Sequence, residues 1–239
     1  MKQTTPTRKV SFWHRLFDLL APRACVACGA RLAESEEVLC ASCNLHLPRT
    51  DFAANAYDNE MAQCFWGRIP IERAAALFFY HPQSETSHAI YDLKYHHHPD
   101  YANQLGHFAA QDFAAHDFFN DIDGIVAIPL TRGRQRHRGY NQAEEIARGV
   151  AEATGLPIFH KVVRRNIFDG SQTQKDRWER MEGVEEAFEL LRPERIHGRH
   201  VLIVDDVVTT GATVCACAKE LAKAGEVKVS VMSLAFTRT

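Results

Sequence analysis

The densest chemistry in the sequence lies in VLIVDDVVTTGAT, residues 201–213, where an apolar run ends in two adjacent carboxylates and then a Thr-Thr-Gly turn. Desolvated like charges repel, so Asp205 and Asp206 at a strand exit call for a ligand or a partner. Thr209, Thr210, Gly211, Ala212 and Thr213 follow with three hydroxyls and a run of backbone amides. At a helix start, orphan N–H groups and the helix dipole favour an anion there. Gly211 permits close backbone approach. Acceptors for sugar hydroxyls beside a phosphate cradle match a ribose 5-phosphate. A buried strand before a Thr-capped helix would explain the threonines but not the acid pair. A Walker-type G-x4-G-K-[ST] loop occurs nowhere. A phosphorelay receiver would need more strands after Asp206 than the residues there provide.

Four cysteines form a second constellation, Cys25-x2-Cys28-x11-Cys40-x2-Cys43. Two such knuckles can close tetrahedrally on one Zn2+, and four protein ligands leave no open position for activating water. The expected zinc is structural, because a module this short cannot bury enough core to fold unaided. A redox or disulfide role is the alternative. Cys64, Cys215 and Cys217 have no second knuckle and read as small buried hydrophobes.

Two polar segments complete the chemistry. TRGRQRHRGY places Arg132, Arg134, Arg136 and Arg138 directly after the apolar run GIVAIPL and reads as a basic loop at a strand end. RRNIFDGSQTQKDRWERMEGVEEAF is too long for a tight turn and reads either as a cover over a site or as a surface excursion. The triplet His96, His97, His98 lacks a helical i+4 partner and reads as an exposed loop. No histidine or glutamate declares itself a general base, so the catalytic group stays unassigned.

The elements that must position these residues alternate. AALFFY, GIVAIPL, PIFHKVV, VLIVDD and VKVSVMSLAF read as strands; SHAIYDLKY, NQLGHFAAQDFAA, NQAEEIARGVAEATG and residues 212–224 read as helices. Strands separated by helix-length segments predict an α/β fold with a parallel sheet flanked by helices. In such sheets ligands bind at the carboxyl ends of the strands. Three parts are expected: 1–48, an amphipathic helix over 12–20 plus the zinc ribbon; 49–120, a connector and hood-like region whose first stretch, to about Gln63, reads as a linker or loosely packed connection; and 121–239, the core.

With 239 residues, 46% hydrophobic, the chain can bury one sizeable core and a satellite module. A net charge of -2 provides no whole-molecule field toward nucleic acid or membranes, so any basic site is local. Arg15 and Asp18 interrupt the N-terminal apolar run, so neither a signal-peptide core nor a membrane span fits, and a cytoplasmic location with reduced thiols is expected.

Residues 201–213 resemble the 5-phosphoribosyl 1-diphosphate (PRPP) loop of type I phosphoribosyltransferases. Pro129-Leu130, Arg134, Arg138-Gly139-Tyr140-Asn141-Gln142 and the four-cysteine ribbon narrow the resemblance to the ComF/GntX family, known in connection with DNA uptake and competence. It extends to Leu93-Lys94-Tyr95 and the Gly67-Arg68 region. The resemblance implies that Asp205 and Asp206 grip the ribose hydroxyls while Val208, Thr209, Thr210, Gly211, Ala212 and Thr213 wrap the 5-phosphate. It singles out Arg134 and Arg138 for pyrophosphate, against a solvated loop or a patch for nucleic-acid phosphates. Gln172, Thr173 and Arg180 fall in the flexible loop, in which Asp169 and Gly183 depart from the family's Thr and Asn. The implied reaction displaces pyrophosphate from ribose C1, with Mg2+ bridging diphosphate and ribose oxygens. A PRPP-sensing or single-stranded-DNA-binding protein without turnover is the second reading, built on the zinc ribbon, the basic loop and Trp66 near Arg68. A third gives the zinc module a competence-machinery protein as partner.

Overall fold

The computed structural model describes residues 23–80, 99–166 and 187–238. The chain divides into two compact units, Met1–His46 and Leu47–Thr239. The expected helix over 12–20, the helix SHAIYDLKY and the histidine triplet lie outside the described residues.

The first unit is built on tight turns. Gly29, at φ 71, lets its amide return to Cys25 O at 2.8 Å, while Cys25 N–H donates to Ala30 O at 2.7 Å. The Glu36 carboxylate accepts from Ala33 N at 2.7 Å and Ala41 N at 2.6 Å, tying the turn to helix α1 (Ala41–His46). Val26, Leu32, Val38 and Leu39 are buried among the cysteines, a core of only a few side chains among the described residues of the unit.

The second unit is organised by a parallel sheet. Strands β1 (Arg73–Phe79), β2 (Gly124–Ala127), β5 (His200–Val208) and β6 (Lys228–Phe236) lie in the order β1-β6-β5-β2, and every pairing is parallel. Successive side chains of a strand face opposite sides, yet Val201 to Val204 and Val229 to Phe236 are all buried. Both faces are therefore covered, which explains why these strands read as continuous apolar runs. The stretch PIFHKVV divides. Residues 157–159 run beside β2 through an Ile125–Ile158 bridge, the chain turns at Lys161 (φ 56), and β3 (Val163–Arg165) pairs with β4 (Phe188–Leu190) in a separate antiparallel pair.

Helices α3 (Pro99–Ala114) and α5 (Gln142–Thr154) pack almost backbone to backbone. A Cβ added at Gly106 would stand 2.3 Å from Ile146 O, and one at Gly149 would stand 1.9 Å from Asn103 O. Helix α6 (Ala212–Ala222) follows β5 and returns the chain to β6. Among the described residues no helix is long and apolar enough to cross a membrane.

Two expectations are corrected. The basic segment after GIVAIPL is a helix, α4 (Arg132–Arg138), and not a loop. Thr131 caps it by accepting from Arg134 N, and Gly139 at φ 80 ends it; with no buried residue it has no apolar stripe to betray it. The stretch from Pro48 to Gln63 is packed and not a linker. Arg49 bridges to Phe78 of β1, Phe52 and Ala53 are buried, and helix α2 (Glu60–Gln63) buries Met61 and Ala62 completely. Asn59 secures α2: its Oδ1 accepts from Met61 N and Ala62 N, and its Nδ2 donates to Asn55 O and Ala74 O.

Candidate functional site

β2 and β5 are adjacent and parallel, with Ala127 opposite Val204, so the residues that follow each strand leave the sheet at the same end. A cavity of about 180 Å³ opens there. Asp205, Asp206, Val207 and Thr213 enter it from β5 and the start of α6, Arg134 and Arg138 from α4, Asn141 and Gln142 from the start of α5, and Arg165 from the end of β3.

Backbone contacts set the posture of both acids. Asp205 Oδ1 accepts from Asp206 N at 2.9 Å, and Asp206 Oδ1 accepts from Val207 N at 2.7 Å. Behind Asp205 lies the fully buried thiol of Cys217, which burial first and the Asp205 charge second push well above the usual range. On the opposite wall, buried Asn141 caps α5 through Ala143 N and donates to Ile128 O at 3.1 Å, locking the helix start to the strand exit. Buried Gln142 accepts from Arg138 Nη1 at 3.1 Å. Tyr140 is pushed up to about 12, by burial first and then by Glu145, with Asp206 adding to the shift and Arg138 opposing it.

Arg165 was not singled out in the sequence. Burial first, and then repulsion from Arg134, draw its guanidinium below its ordinary range, while Asp205 opposes the shift. It also lies over the Phe188 ring, 5.3 Å from the centroid. Two like charges in a partly dehydrated cavity favour a polyanion between them. The available signal was a basic pair, Arg164-Arg165, at a strand end.

Of the expected cradle, Thr213 faces the cavity, Val208 is buried, and Thr209 and Thr210 are exposed. Gly211 takes φ 71, and a Cβ there would lie 2.8 Å from the Phe65 ring. Thr210 O accepts from Arg68 Nη1 at 2.6 Å. Ala212 begins α6, so the amides of its first turn have no helical acceptor ahead of them. The expected loop residues Gln172, Thr173 and Arg180 lie outside the described residues.

In the first unit the sulfurs of Cys25, Cys28, Cys40 and Cys43 all lie within 4.8 Å of one another. Cys28 and Cys40 are 3.7 Å apart. Tetrahedral zinc–thiolate bonds of roughly 2.3 Å would separate ligand sulfurs by about 3.8 Å, so the spacing fits a metal such as zinc. Cys40 N–H points at Cys25 Sγ (3.3 Å) and Cys43 N–H at Cys40 Sγ (3.4 Å), the contacts thiolates want. Burial would raise the Cys25 thiol, but the amides of Cys40, Cys28 and Ala27 outweigh it and bring it down to about 7. Burial, then hydrogen bonds with the other thiols, push Cys43 up. A dication reconciles four thiolates where protons alone do not. Among the described residues this is the one cluster of three or more His, Cys, Asp or Glu placed to hold a metal.

Comparison with known proteins agrees with this architecture. The phosphoribosyl transferase domain family matches residues 93–238, more than half of the chain. The DNA utilization protein YhgH of Escherichia coli K12 is 27% identical over 221 residues, covering 89% of this chain and 90% of its own. Competence protein F of Haemophilus influenzae is 32% identical over 114 residues (47% of this chain, 50% of its own), and competence protein ComFC of Bacillus subtilis is 31% identical over 115 (48% and 44%). With its parallel sheet, its strand-end cavity and its four-cysteine cluster consistent with a zinc ribbon, the chain belongs to the phosphoribosyl transferase domain family as a ComF-like member.

Proposed function

We propose that the cavity binds PRPP and that the protein transfers its phosphoribosyl group to an acceptor, releasing pyrophosphate. One observation carries the reading: Asp205 and Asp206 face the same cavity as Arg134, Arg138 and Arg165. The carboxylates suit the ribose hydroxyls, the guanidinium forks suit the diphosphate, and the turn from Val208 to Thr213 suits the 5-phosphate. Chemically, the bond from C1 to the diphosphate oxygen breaks, C1 bonds to the acceptor's nitrogen or other nucleophilic atom, and that atom gives up a proton. Arginines that follow charge onto the leaving diphosphate stabilise the transition state more than the ground state. Three cations set against two carboxylates leave much of the ligand's charge unbalanced, and Mg2+ bound together with the ligand would supply the rest of the neutralising charge. In the first unit the four thiolates would hold a structural Zn2+ with no open position.

The names of the relatives, a DNA utilization protein and two competence proteins, support a place for this activity in DNA uptake. A second reading, a PRPP-sensing protein that binds single-stranded DNA without turnover, is favoured by Trp66, 53% exposed beside Arg68, and by the outward arginines of α4.

The test is calorimetric titration of PRPP with Mg2+ into the zinc-loaded wild type and Asp205→Asn/Asp206→Asn. Saturable binding that the double variant loses is expected, followed by acceptor-dependent pyrophosphate release. A folded wild type that ignores PRPP would overturn the transferase reading; PRPP binding without release for any acceptor, with DNA affinity falling steeply in salt, would establish the second one.

A further inference from the structure

We propose that Arg68 is a positioning residue for the 5-phosphate, acting through the Thr210 peptide; the inference rests on the phosphoribosyl reading of the cavity. Arg68 lies ahead of residues 93–238, which the phosphoribosyl transferase domain family matches, and the resemblance that extends to the Gly67-Arg68 region gives it no role.

The segment that carries Arg68 is anchored at several points. Asn59 ties it to β1 through Ala74 O, Met61 and Phe65 are fully buried, and Glu60 holds Arg238 in a two-pronged pair at 2.6 and 2.7 Å. After α2 the chain closes a compact turn, with Arg68 N and Ile69 N both donating to Phe65 O and Gly67 at φ 72. The outcome is a rigid arm from which two side chains touch the phosphate turn. The Phe65 ring fills the space where a Cβ on Gly211 would lie, and Arg68 Nη1 reaches Thr210 O at 2.6 Å and Cys64 O at 3.0 Å.

A planar trans peptide makes the second contact consequential. The Thr210 C=O and the Gly211 N–H belong to one plane and point in opposite directions. Holding the carbonyl on Arg68 therefore aims the Gly211 amide away from Arg68. Cys215 N donates to the Gly211 carbonyl at 2.9 Å as the start of the α6 ladder, and the Gly211 N–H lies ahead of that ladder, at the helix entrance. Both N–H groups of Nη1 are engaged on backbone carbonyls, so the arginine works as a bracket for the peptide. Without it the Thr210 peptide, exposed on its outer side, is free to rotate, and the amide must be oriented at the expense of binding.

The experiment titrates ribose 5-phosphate and inorganic pyrophosphate, separately and with Mg2+, into full-length wild type, Arg68→Ala, Arg68→Lys and Phe65→Leu. Arg68→Ala and Phe65→Leu should each weaken ribose 5-phosphate about tenfold and leave pyrophosphate within about twofold, since its arginine wall is lined by neither residue. Arg68→Lys should not restore the affinity, because an ammonium lacks the fixed fork that spans two carbonyls. Unchanged ribose 5-phosphate affinity in Arg68→Ala, an equal loss for both ligands, or full recovery by lysine would each overturn the proposal. Wild-type protein that binds neither ligand would instead remove the phosphoribosyl reading beneath it.

Discussion

Arg138 Nη1 donates to the side-chain oxygen of Gln142 across 3.1 Å, and Gln142 is buried at the first turn of α5. A residue hidden from solvent thus fixes the direction of a cationic one at the cavity. Gln142→Ala should lower pyrophosphate affinity by about tenfold or less and cost about 1–2 kcal/mol in stability, the range for removing one partner of a charge-assisted bond. Calorimetry and urea denaturation measure the two effects.

Arg165 should contribute to the same ligand from the other side. Arg165→Gln relieves the repulsion from Arg134 but removes a guanidinium fork, so PRPP affinity should fall about tenfold or more. Little change in PRPP affinity, measured by titration, would show that the residue serves only to cover Phe188.

The α3–α5 contact admits no side chain at its glycines. Gly149→Ala should destabilise the fold by about 2 kcal/mol or more, because the obstructing atoms, Asn103 O and His107 N, are backbone and cannot swing aside. A Gly133→Ala control, in open space on α4, should leave the urea midpoint nearly unchanged.

His200 makes stability sensitive to acid. Burial first, then the Arg73 charge, draws it below its ordinary value of 6.5, and its Nε2 lies 2.9 Å from Ser230 Oγ. Below pH 6.5 the unfolded chain takes up a proton that the folded one resists, so stability falls as pH falls from 6.5 toward the depressed native value. His200→Gln should flatten that part of the curve of unfolding free energy against pH.

Metal removal should act on one unit. Elemental analysis should find one Zn2+ per chain, and chelation should expose residues 23–46 to proteolysis while Leu47–Thr239 resists it, since few apolar side chains are buried among the described residues of the first unit. Equal resistance with and without chelator would show that the cysteines need no ion.

What the sequence determined by itself is what local pattern encodes. Continuous apolar runs announced β5 and β6 because strands covered on both faces need no alternation. The acid pair and the Thr-Thr-Gly turn of residues 205–211 marked the strand exit, and the knuckle spacing marked the thiolate cluster, because each depends on neighbours a few residues apart. Tertiary structure alone decided the rest. Helix α4 has no apolar side chain and is held by Thr131 and Gly139, so periodicity could not announce it. Residues 52–62 look like a polar connector in composition, yet Phe52, Met61 and Ala62 find burial against a sheet whose order no local signal states. Arg165 reaches the cavity from a separate strand pair, and Arg68 meets Thr210 across 142 positions of sequence. Such contacts belong to the way the strands and helices are stacked, and a one-dimensional pattern carries no record of them until the sheet closes.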